Sequence, residues 1–210
     1  MTHFKTKADL HITRKIWHFL GVLLIVFLFN TLSRVNAVIT ITFFAALFIC
    51  IDVYRLSHPK FNTIAISMMK PFMRANEQNS LAGTTYLLAS SFLIILFFPP
   101  NIVNLSLLFL AIADPIASLT GFYLGKDKLI NNKSLQGTLG AFICCFVISY
   151  VFYFKFNIMT ERILLVSLIS ALIGASAELL PIGQLDDNFS FPLLSAVSLW
   201  VLFYFFGAYV

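Results

Sequence analysis

The segment from Asp114 to Gly140 reads DPIASLTGFYLGKDKLINNKSLQGTLG and joins two long apolar runs. It begins with a carboxylate inside the first run and continues along a face of small residues. It then leaves through a basic loop and enters the second run at Ser134. This pattern predicts two membrane-spanning helices connected by a polar loop. Because an acid, several cations and several glycines occur within one helical hairpin, this segment is also the strongest candidate for a functional site.

The composition of the whole chain is that of a membrane protein. Of its 210 residues, 60% are hydrophobic and 11% are charged, and the mean hydropathy is +0.91. An ordinary soluble domain has about 25% charged residues, so this chain has too few polar side chains to cover a core in water. Apolar runs of about 20 residues recur, and each is long enough to cross a hydrocarbon core of roughly 30 Å. We therefore expect one all-α membrane domain over residues 1–210, with no separate soluble domain.

The apolar runs predict a polytopic bundle of about seven transmembrane helices plus one interfacial helix. Between the second and third runs, residues 59–74 have apolar side chains at helical spacing, flanked by cations. This segment is expected to lie in the cytoplasmic interface, either as a surface helix anchored to headgroups or as a gate for a lipid substrate. The predicted spans are Ile16–Ser33, Val35–Val53, Leu81–Phe98, Ile102–Gly125, Leu135–Phe154, Ile163–Leu180 and Phe189–Val210.

The Lys and Arg residues are distributed unevenly among the connections between these spans. Eleven of the 14 lie on the side that holds the N-terminus and the second, fourth and sixth loops. The positive-inside rule then predicts a cytoplasmic N-terminus and a C-terminus outside. This topology accounts for the net charge of +5 without nucleic-acid binding. No small-x-small cleavage site follows the first apolar run at a suitable place, so an uncleaved spanning helix is expected there.

Asp114 lies deep in the fourth predicted span, roughly 16 Å along the helix from Gly125. An ionisable group at that depth is costly and is a functional-site hypothesis by default. Pro115 lacks the N–H that would bond the carbonyl of Ala111, which predicts a kinked helix with an acid and a free carbonyl. The alternative is a structural Asp paired with a cation from a neighbouring helix.

Small residues recur at every fourth position from Ala113 to Gly125 and include Gly121. Such a stripe is typical of close helix packing in membranes. Ser118 lies one turn from Asp114 on the adjoining face, where it could support a ligand of the acid. Packing and ligand binding are both compatible with this pattern.

The loop after this span supplies Lys126, Lys128 and Lys133, and the next helix begins with hydroxyl side chains and glycines. Backbone donors at a helix N-terminus, flanked by lysines, suit a polyanionic phosphate chain. The segment is not a Walker A loop, because three residues rather than four separate Gly121 from Gly125. The alternative is that the lysines only follow the positive-inside rule and the glycines only open the helix.

Acidic side chains are concentrated at the end of the sixth predicted span. Glu178 lies in its last turns, and Asp186 and Asp187 follow in a loop that contains no cation. Oxygen ligands of this kind suit Mg²⁺, which often bridges carboxylates and substrate phosphates. We therefore predict Mg²⁺ ligands among Asp114, Glu178, Asp186 and Asp187, while Asn188 could simply cap the seventh span.

The start of the chain carries a polar stripe. His11, Arg14, Lys15 and His18 fall on one face of a helix that runs into the first span. The stripe is either an anchor in the interface or a contact with phosphate or with a lipid acceptor.

Five segments, in order, resemble the motifs of the CTP-dependent polyprenol kinase family, which includes dolichol kinase, phytol kinase and CTP-dependent diacylglycerol kinase. The resemblance covers most of the chain. One departure is Gln136, where the family usually has Glu, so the shape and one acceptor are kept but the charge is lost. The segments are Arg14-Lys15-Ile-Trp-His18; Glu77 with Gly83-Thr84-Thr85-Tyr86; Asp114-Pro-Ile-Ala-Ser118 with Gly121 and Gly125; Lys133-Ser134-Leu-Gln136-Gly137-Thr138; and Glu178 with Asp186-Asp187-Asn188.

The resemblance implies transfer of the terminal phosphoryl group of CTP to the hydroxyl of a lipid alcohol that enters from the bilayer. It implies that lysines and Mg²⁺ hold the phosphates. Asp187, Asp114 and Lys133 are then the catalytic candidates, with Asp187 accepting the hydroxyl proton. The choice among polyprenol, phytol-like alcohol and diacylglycerol stays open, as does a homo-oligomeric state. The nucleotide-binding candidates are Arg14, Lys15, His18, Ser118, Gly121, Gly125, Lys126, Lys128, Ser134, Gln136, Gly137 and Thr138.

Other functions are compatible with parts of this pattern. A cytidylyltransferase would form a CDP-lipid and release pyrophosphate, but its usual K-D…H-G-G-x-x-D-R signature is missing from the sequence. A transporter or lipid-binding protein would use the buried acid as a proton or ion site, and nucleotide-dependent turnover would distinguish it from an enzyme. Gln136 also leaves a non-catalytic family member as an alternative.

Overall fold

The computed structural model describes residues 12–69, 71–73, 75–130, 133–180, 182–183 and 185–208. Within these ranges the protein is a bundle of α-helices, which confirms the predicted all-α membrane fold. The helices are α1 (Ile12–Thr31), α2 (Arg34–Ser57), α3 (Pro59–Met69), α4 (Gly83–Phe97), α5 (Pro100–Leu108), α6 (Asp114–Leu124), α7 (Leu135–Phe156), α8 (Ile163–Leu179) and α9 (Asp187–Phe205).

Six helices in these ranges are long and apolar enough to cross a membrane, where the sequence predicted about seven. The helix that falls short is α4, the predicted third span, which has 15 residues and is about 22 Å long. A hydrocarbon core is roughly 30 Å thick, so α4 is shorter than the layer it was predicted to cross. α4 is shorter than predicted mainly because Ala82 has an extended backbone, so the helix begins only at Gly83.

The predicted interfacial helix is present as α3. It ends at Met69, whereas the sequence predicted helical spacing as far as Arg74, which lies outside the described residues with Lys70. None of its residues is buried. Its location at the membrane surface stays a prediction.

α5 and α6 form one continuous helix, because a π-helical turn at Phe109–Ala113 joins them. The turn immediately precedes Asp114 and Pro115. Pro115 cannot donate to the carbonyl four residues earlier, so a local widening of the helix accommodates the missing bond without a break. The predicted irregularity at this position is therefore a π-helical turn within an uninterrupted span.

The small-residue stripe of α6 packs against the first turns of α7. A Cβ atom at Gly121 would lie 2.9 Å from Ser134 Oγ, and one at Gly137 would lie 2.8 Å from the carbonyl oxygen of Ala117. Gly137 requires glycine because the backbone of α6 approaches it so closely, and a side chain at Gly121 would displace the capping hydroxyl of Ser134. The packing interpretation of the stripe is confirmed, and this hairpin fixes the loop that carries Lys133.

The opposite end of the bundle is closed by polar contacts between helices. The side-chain amides of Asn30 in α1 and Asn104 in α5 exchange two hydrogen bonds of 2.7 and 3.0 Å. Arg34 donates to carbonyl oxygens at the C-terminus of α4, including that of Phe98 at 3.1 Å. These carbonyls have no partner within their helix, so Arg34 satisfies them. The motifs that contain the candidate functional residues lie at the other end of the bundle.

Candidate functional site

Lys133 lies between two acidic side chains that come from different helices. Its Nζ atom is 3.1 Å from Glu178 Oε1 and 3.5 Å from Asp187 Oδ2, and it also donates to the backbone carbonyl of Glu178. Lys133 precedes α7, Glu178 lies in the last turn of α8, and Asp187 lies in the first turn of α9. Three residues that the sequence predicted as functional are thus brought into one cluster.

Glu178 is the buried member of this cluster. Its side chain is 7% exposed, compared with 21% for Lys133 and 34% for Asp187. Its Oε2 atom is buried and has no hydrogen-bond partner among the residues that the structure describes. Because an unsatisfied buried carboxylate oxygen is costly, this atom is suited to receive a ligand.

Asp114 lies close enough to Glu178 for their charges to interact. α8 packs mainly on α7 and α9. The side chain of Phe109 in the π-helical turn reaches α8 at Gly174, where an added Cβ atom would lie 3.1 Å from it. About one turn further along each helix lie Glu178 and Asp114. The predicted intramembrane acid therefore lies at the same end of the bundle as the cluster.

The N-terminus of α9 is fixed by Asp186 and Asn188. Asp186 is the N-cap, and its Oδ1 accepts from the backbone N–H of Asn188 at 2.9 Å. The suggestion that Asn188 is the cap is wrong, because Asn188 already lies inside the helix and is buried. Its Nδ2 donates to the carbonyl of Gly83 at 3.2 Å, and its own carbonyl accepts from Ser90 at 2.9 Å. These bonds to α4 position the neighbouring Asp187.

Two of the backbone donors at the start of α7, which were predicted to bind phosphate, have partners within the protein. The N–H of Leu135 donates to the carbonyl of Asp127 at 2.9 Å, and the N–H of Gly137 donates to Ser134 Oγ at 3.1 Å. Thr138, in contrast, has a buried Oγ1 without a hydrogen-bond partner. A phosphate group at this helix would therefore be held by side chains more readily than by these backbone groups.

The other predicted nucleotide-binding residues of the hairpin lie on the loop, on α6 and within the packed hairpin. Lys126 and Lys128 are exposed on the loop, and Ser118 is half-buried on α6. Gly121 and Gly125 both face Ser134 within the packed hairpin. Their roles toward a nucleotide stay predictions. Lys133 is placed in the acidic cluster by its ion pairs with Glu178 and Asp187.

Gln136 ties the loop to α7 through both ends of its amide. Its Oε1 accepts from the backbone N–H of Lys126 at 3.0 Å, and its Nε2 donates to Asp127 Oδ2 at 3.0 Å. A Glu side chain at this position could not donate to Asp127. Gln136, which stands where the family usually has Glu, therefore suits the neighbouring carboxylate of Asp127 in this loop.

A cavity of about 390 Å³ reaches the N-terminus of α9 at Asn188, although Lys133, Glu178 and Asp187 do not line it. Arg14 and His18 of the predicted N-terminal stripe line it, together with Glu77 and Asn188. Since Asn188 follows Asp187 in α9, the cavity and the cluster share this helix N-terminus. Lys15 is half-buried on α1, and His11 lies outside the described residues.

A second buried ion pair lines this cavity, and it was not predicted from the sequence. Arg55 Nε lies 2.7 Å from Asp52 Oδ1, and the two side chains are 3% and 5% exposed. The prediction placed Arg55 in a loop as a topological cation, which is wrong because α2 continues to Ser57. An acid and an arginine three residues apart at the end of an apolar run were the signal that could have revealed the pair.

This second pair is saturated with hydrogen bonds. Arg55 donates to the carbonyls of Glu77 at 3.0 Å and Ser80 at 2.6 Å. Asp52 Oδ2 accepts from the hydroxyl of Thr85 at 2.6 Å and from the backbone N–H at position 82 at 2.7 Å. The pair therefore fastens α2 to the segment before α4 and shapes the cavity wall.

Among the residues that the structure describes, no three His, Cys, Asp or Glu side chains are arranged to hold a metal ion by themselves. Mg²⁺ usually takes only one or two carboxylates and completes its shell with phosphate oxygens and water. Glu178, with its unpartnered Oε2, and the partly exposed Asp187 fit that mode. Asp186 fits it less well, because one of its oxygens caps α9.

The chain matches no family model and no solved structure. It is 33% identical to CTP-dependent diacylglycerol kinase 1 of Schizosaccharomyces pombe, over 72% of this chain and 74% of that protein. It is 31% identical to the protein of the same name from Eremothecium gossypii, over 70% of this chain and 52% of that protein. It is also 27% identical to an uncharacterised protein of Rickettsia prowazekii, over 90% of this chain and 93% of that protein. The resemblance found in the sequence is confirmed: the chain belongs to the CTP-dependent lipid kinase family.

Proposed function

We propose that this protein transfers the terminal phosphoryl group of CTP to the hydroxyl of diacylglycerol at the cytoplasmic face of a membrane. The observation that carries the proposal is the position of Lys133 between Glu178 and Asp187, beside a cavity that borders the apolar interior. Diacylglycerol is preferred over a prenyl alcohol because the two similar yeast and fungal proteins are named as diacylglycerol kinases.

Phosphoryl transfer requires positioning and charge neutralisation more than covalent assistance. In this proposal the Nζ of Lys133 exchanges part of its contact with the acids for oxygens of the phosphate chain. Asp187, the more exposed acid, accepts the proton of the attacking lipid hydroxyl. Glu178 and Asp187 would hold Mg²⁺, which when bound supplies charge neutralisation on the phosphates. Asp114 adds negative charge beside Glu178 and favours a cation there.

The cytoplasmic orientation rests on charge. The end of the bundle that carries the site also carries Lys126, Lys128 and Lys133, and the connections on this side hold most of the chain's Lys and Arg residues. CTP would then reach the site from the cytoplasm, while the lipid would enter from the bilayer.

The test is a transfer assay with the purified protein in mixed micelles containing Mg²⁺. CTP labelled at the terminal phosphate, CTP labelled at the first phosphate, and terminally labelled ATP are each supplied with dioleoylglycerol, a polyprenol or phytol, and with phosphatidic acid as the acceptor that a cytidylyltransferase would need. The expected result is lipid-phase label from terminally labelled CTP with dioleoylglycerol, and its loss in Asp187→Asn.

Each other outcome contradicts a defined part of the proposal. Transfer only to a prenyl alcohol replaces the acceptor, and transfer only from ATP replaces the donor. Lipid label from the first phosphate of CTP indicates a cytidylyltransferase. Absence of transfer under every condition overturns the kinase proposal.

A further inference from the structure

The cavity beside the cluster continues into a second, apolar one. This second cavity of about 160 Å³ lies between α1, α2 and α4 and is lined by side chains such as Leu24, Ile41 and Leu87. The two cavities share Trp17, His18, Phe48 and Thr84 as lining residues. They are therefore neighbouring parts of one passage. We call the first the chamber and the second the groove.

Both parts of the passage are lined mainly by apolar surface, and the charged side chains lie in the chamber. The chamber presents Arg14 and Glu77, whereas the groove beyond His18 presents hydrocarbon side chains as far as Leu28. From Trp17 to Leu28 the helix advances roughly 16 Å, which is comparable to part of an acyl chain. A ligand that fills both parts is therefore mainly apolar, and a polar group on it would meet charged side chains in the chamber.

The groove opens toward the lipid phase. Leu24 in α1 is 56% exposed and Phe44 in α2 is 40% exposed, so its rim lies on the outer surface of the bundle. Gly21 contributes to its width, because an added Cβ atom would meet only Leu87, at 4.0 Å. A hydrocarbon chain can enter such a groove sideways without crossing a polar barrier.

We infer that the groove binds one hydrocarbon chain of the acceptor lipid and that the chamber receives its hydroxyl-bearing head. This inference rests on the proposed function and adds a location for the acceptor. Asn188 lines the chamber and follows Asp187 directly, so a head group in the chamber lies at the helix end that carries the proposed proton acceptor. The enzyme's selectivity for the length of this hydrocarbon chain is then determined by α1, α2 and α4, away from the phosphates.

The first test compares Gly21→Trp with Leu20→Trp. Gly21 lines the groove, whereas Leu20 is the adjacent residue of α1 and is 56% exposed on the lipid side. Filling the groove is expected to raise KM for dioleoylglycerol by roughly tenfold and KM for dioctanoylglycerol by less, because fewer methylene groups lose their contacts. KM for CTP is expected to stay at the wild-type value. Equal chain-length profiles in the two variants would overturn the inference.

The second test does not depend on turnover. Wild-type protein in nanodiscs is photolabelled with a diacylglycerol that carries a diazirine within one acyl chain, and the labelled peptides are mapped by mass spectrometry. The inference expects labelling around Leu24, Leu28 and Leu87 that excess dioleoylglycerol prevents. Uniform labelling of lipid-facing surfaces, unaffected by competitor, would refute it. If the wild-type enzyme transfers no phosphoryl group, the proposed function fails, and this mapping still decides on the groove.

Discussion

A buried ion pair and a partly exposed ionic cluster lie at the same end of this bundle, and they differ in how completely their hydrogen bonds are satisfied. The Asp52–Arg55 pair lies within one helix, and its oxygens and nitrogens bond to the backbone and hydroxyl groups around them. The Lys133–Glu178–Asp187 cluster joins three elements, leaves Glu178 Oε2 without a partner, and includes a partly exposed acid.

The difference indicates which pair stabilises the fold and which is available for chemistry. A saturated buried pair has no group left for a ligand, and breaking it leaves an uncompensated charge. A cluster with unsatisfied groups stabilises the fold less, but it can bind a phosphate group or a cation without breaking hydrogen bonds that hold the fold together. We therefore expect substitutions in the first pair to lower stability and substitutions in the second to lower activity.

Lys133→Met should give the largest effect. The proposed enzyme loses the cation that faces the phosphates, and transfer should fall by about 10³-fold. The midpoint of thermal unfolding in detergent should fall less than in Arg55→Met. Lys155→Met, on the exposed surface of α7 near its C-terminus, is the control and should keep wild-type activity. Retention of more than a tenth of the activity in Lys133→Met would argue against its role.

Arg55→Met should mainly affect the fold. Asp52 would remain buried without its cation, which costs about 3–5 kcal/mol of unfolding free energy. Thermal unfolding in detergent measures the change, with Arg162→Met as an exposed control. If Arg55→Met kept wild-type stability but lost activity, the distinction between the two sites would be wrong, because Arg55 would then act in catalysis.

Glu178→Gln and Asp52→Asn form a matched pair that sharpens the distinction. Each replaces a buried carboxylate by an amide of the same shape. Glu178→Gln should lower transfer by about 10²-fold and raise the Mg²⁺ concentration needed for half-maximal rate, because a charged ligand is lost. Asp52→Asn should lower the unfolding midpoint without changing the Mg²⁺ dependence. If the two effects were exchanged between the variants, Asp52 would be the catalytic acid and Glu178 the structural one.

Gln136→Glu should have the smallest effect. It places a carboxylate against that of Asp127 in an exposed loop, where such repulsion costs about 0.5 kcal/mol. Limited proteolysis of the loop should become faster, and the second substitution Asp127→Asn should restore resistance. An increase in transfer activity in Gln136→Glu would show that the charge at this position acts in catalysis.

Much of this arrangement was accessible from the sequence. Long apolar runs predicted the helices because the bilayer leaves the backbone no other partner, and the charged residues within or beside those runs marked Asp114, Lys133, Glu178 and Asp187. The Asp52–Arg55 network was missed because most of Arg55's partners are carbonyl groups, which no side-chain pattern reports. The bonds of Gln136 depend on the path of an irregular loop, and hydropathy does not describe such a path.

The shortness of α4 has a consequence for how two immiscible reactants meet. α4 spans 15 residues, whereas the neighbouring α5–α6 helix runs for 25 residues, so α4 is about 15 Å shorter. Gly83 and Thr84 at the N-terminus of α4 form part of the chamber wall, so the chamber lies where this short helix begins. A span shorter than the hydrocarbon core is accommodated when the surrounding bilayer thins. Such thinning would bring water and hydrocarbon close together at the chamber, where a soluble nucleotide and a membrane-dissolved alcohol could react while each stays in its own phase.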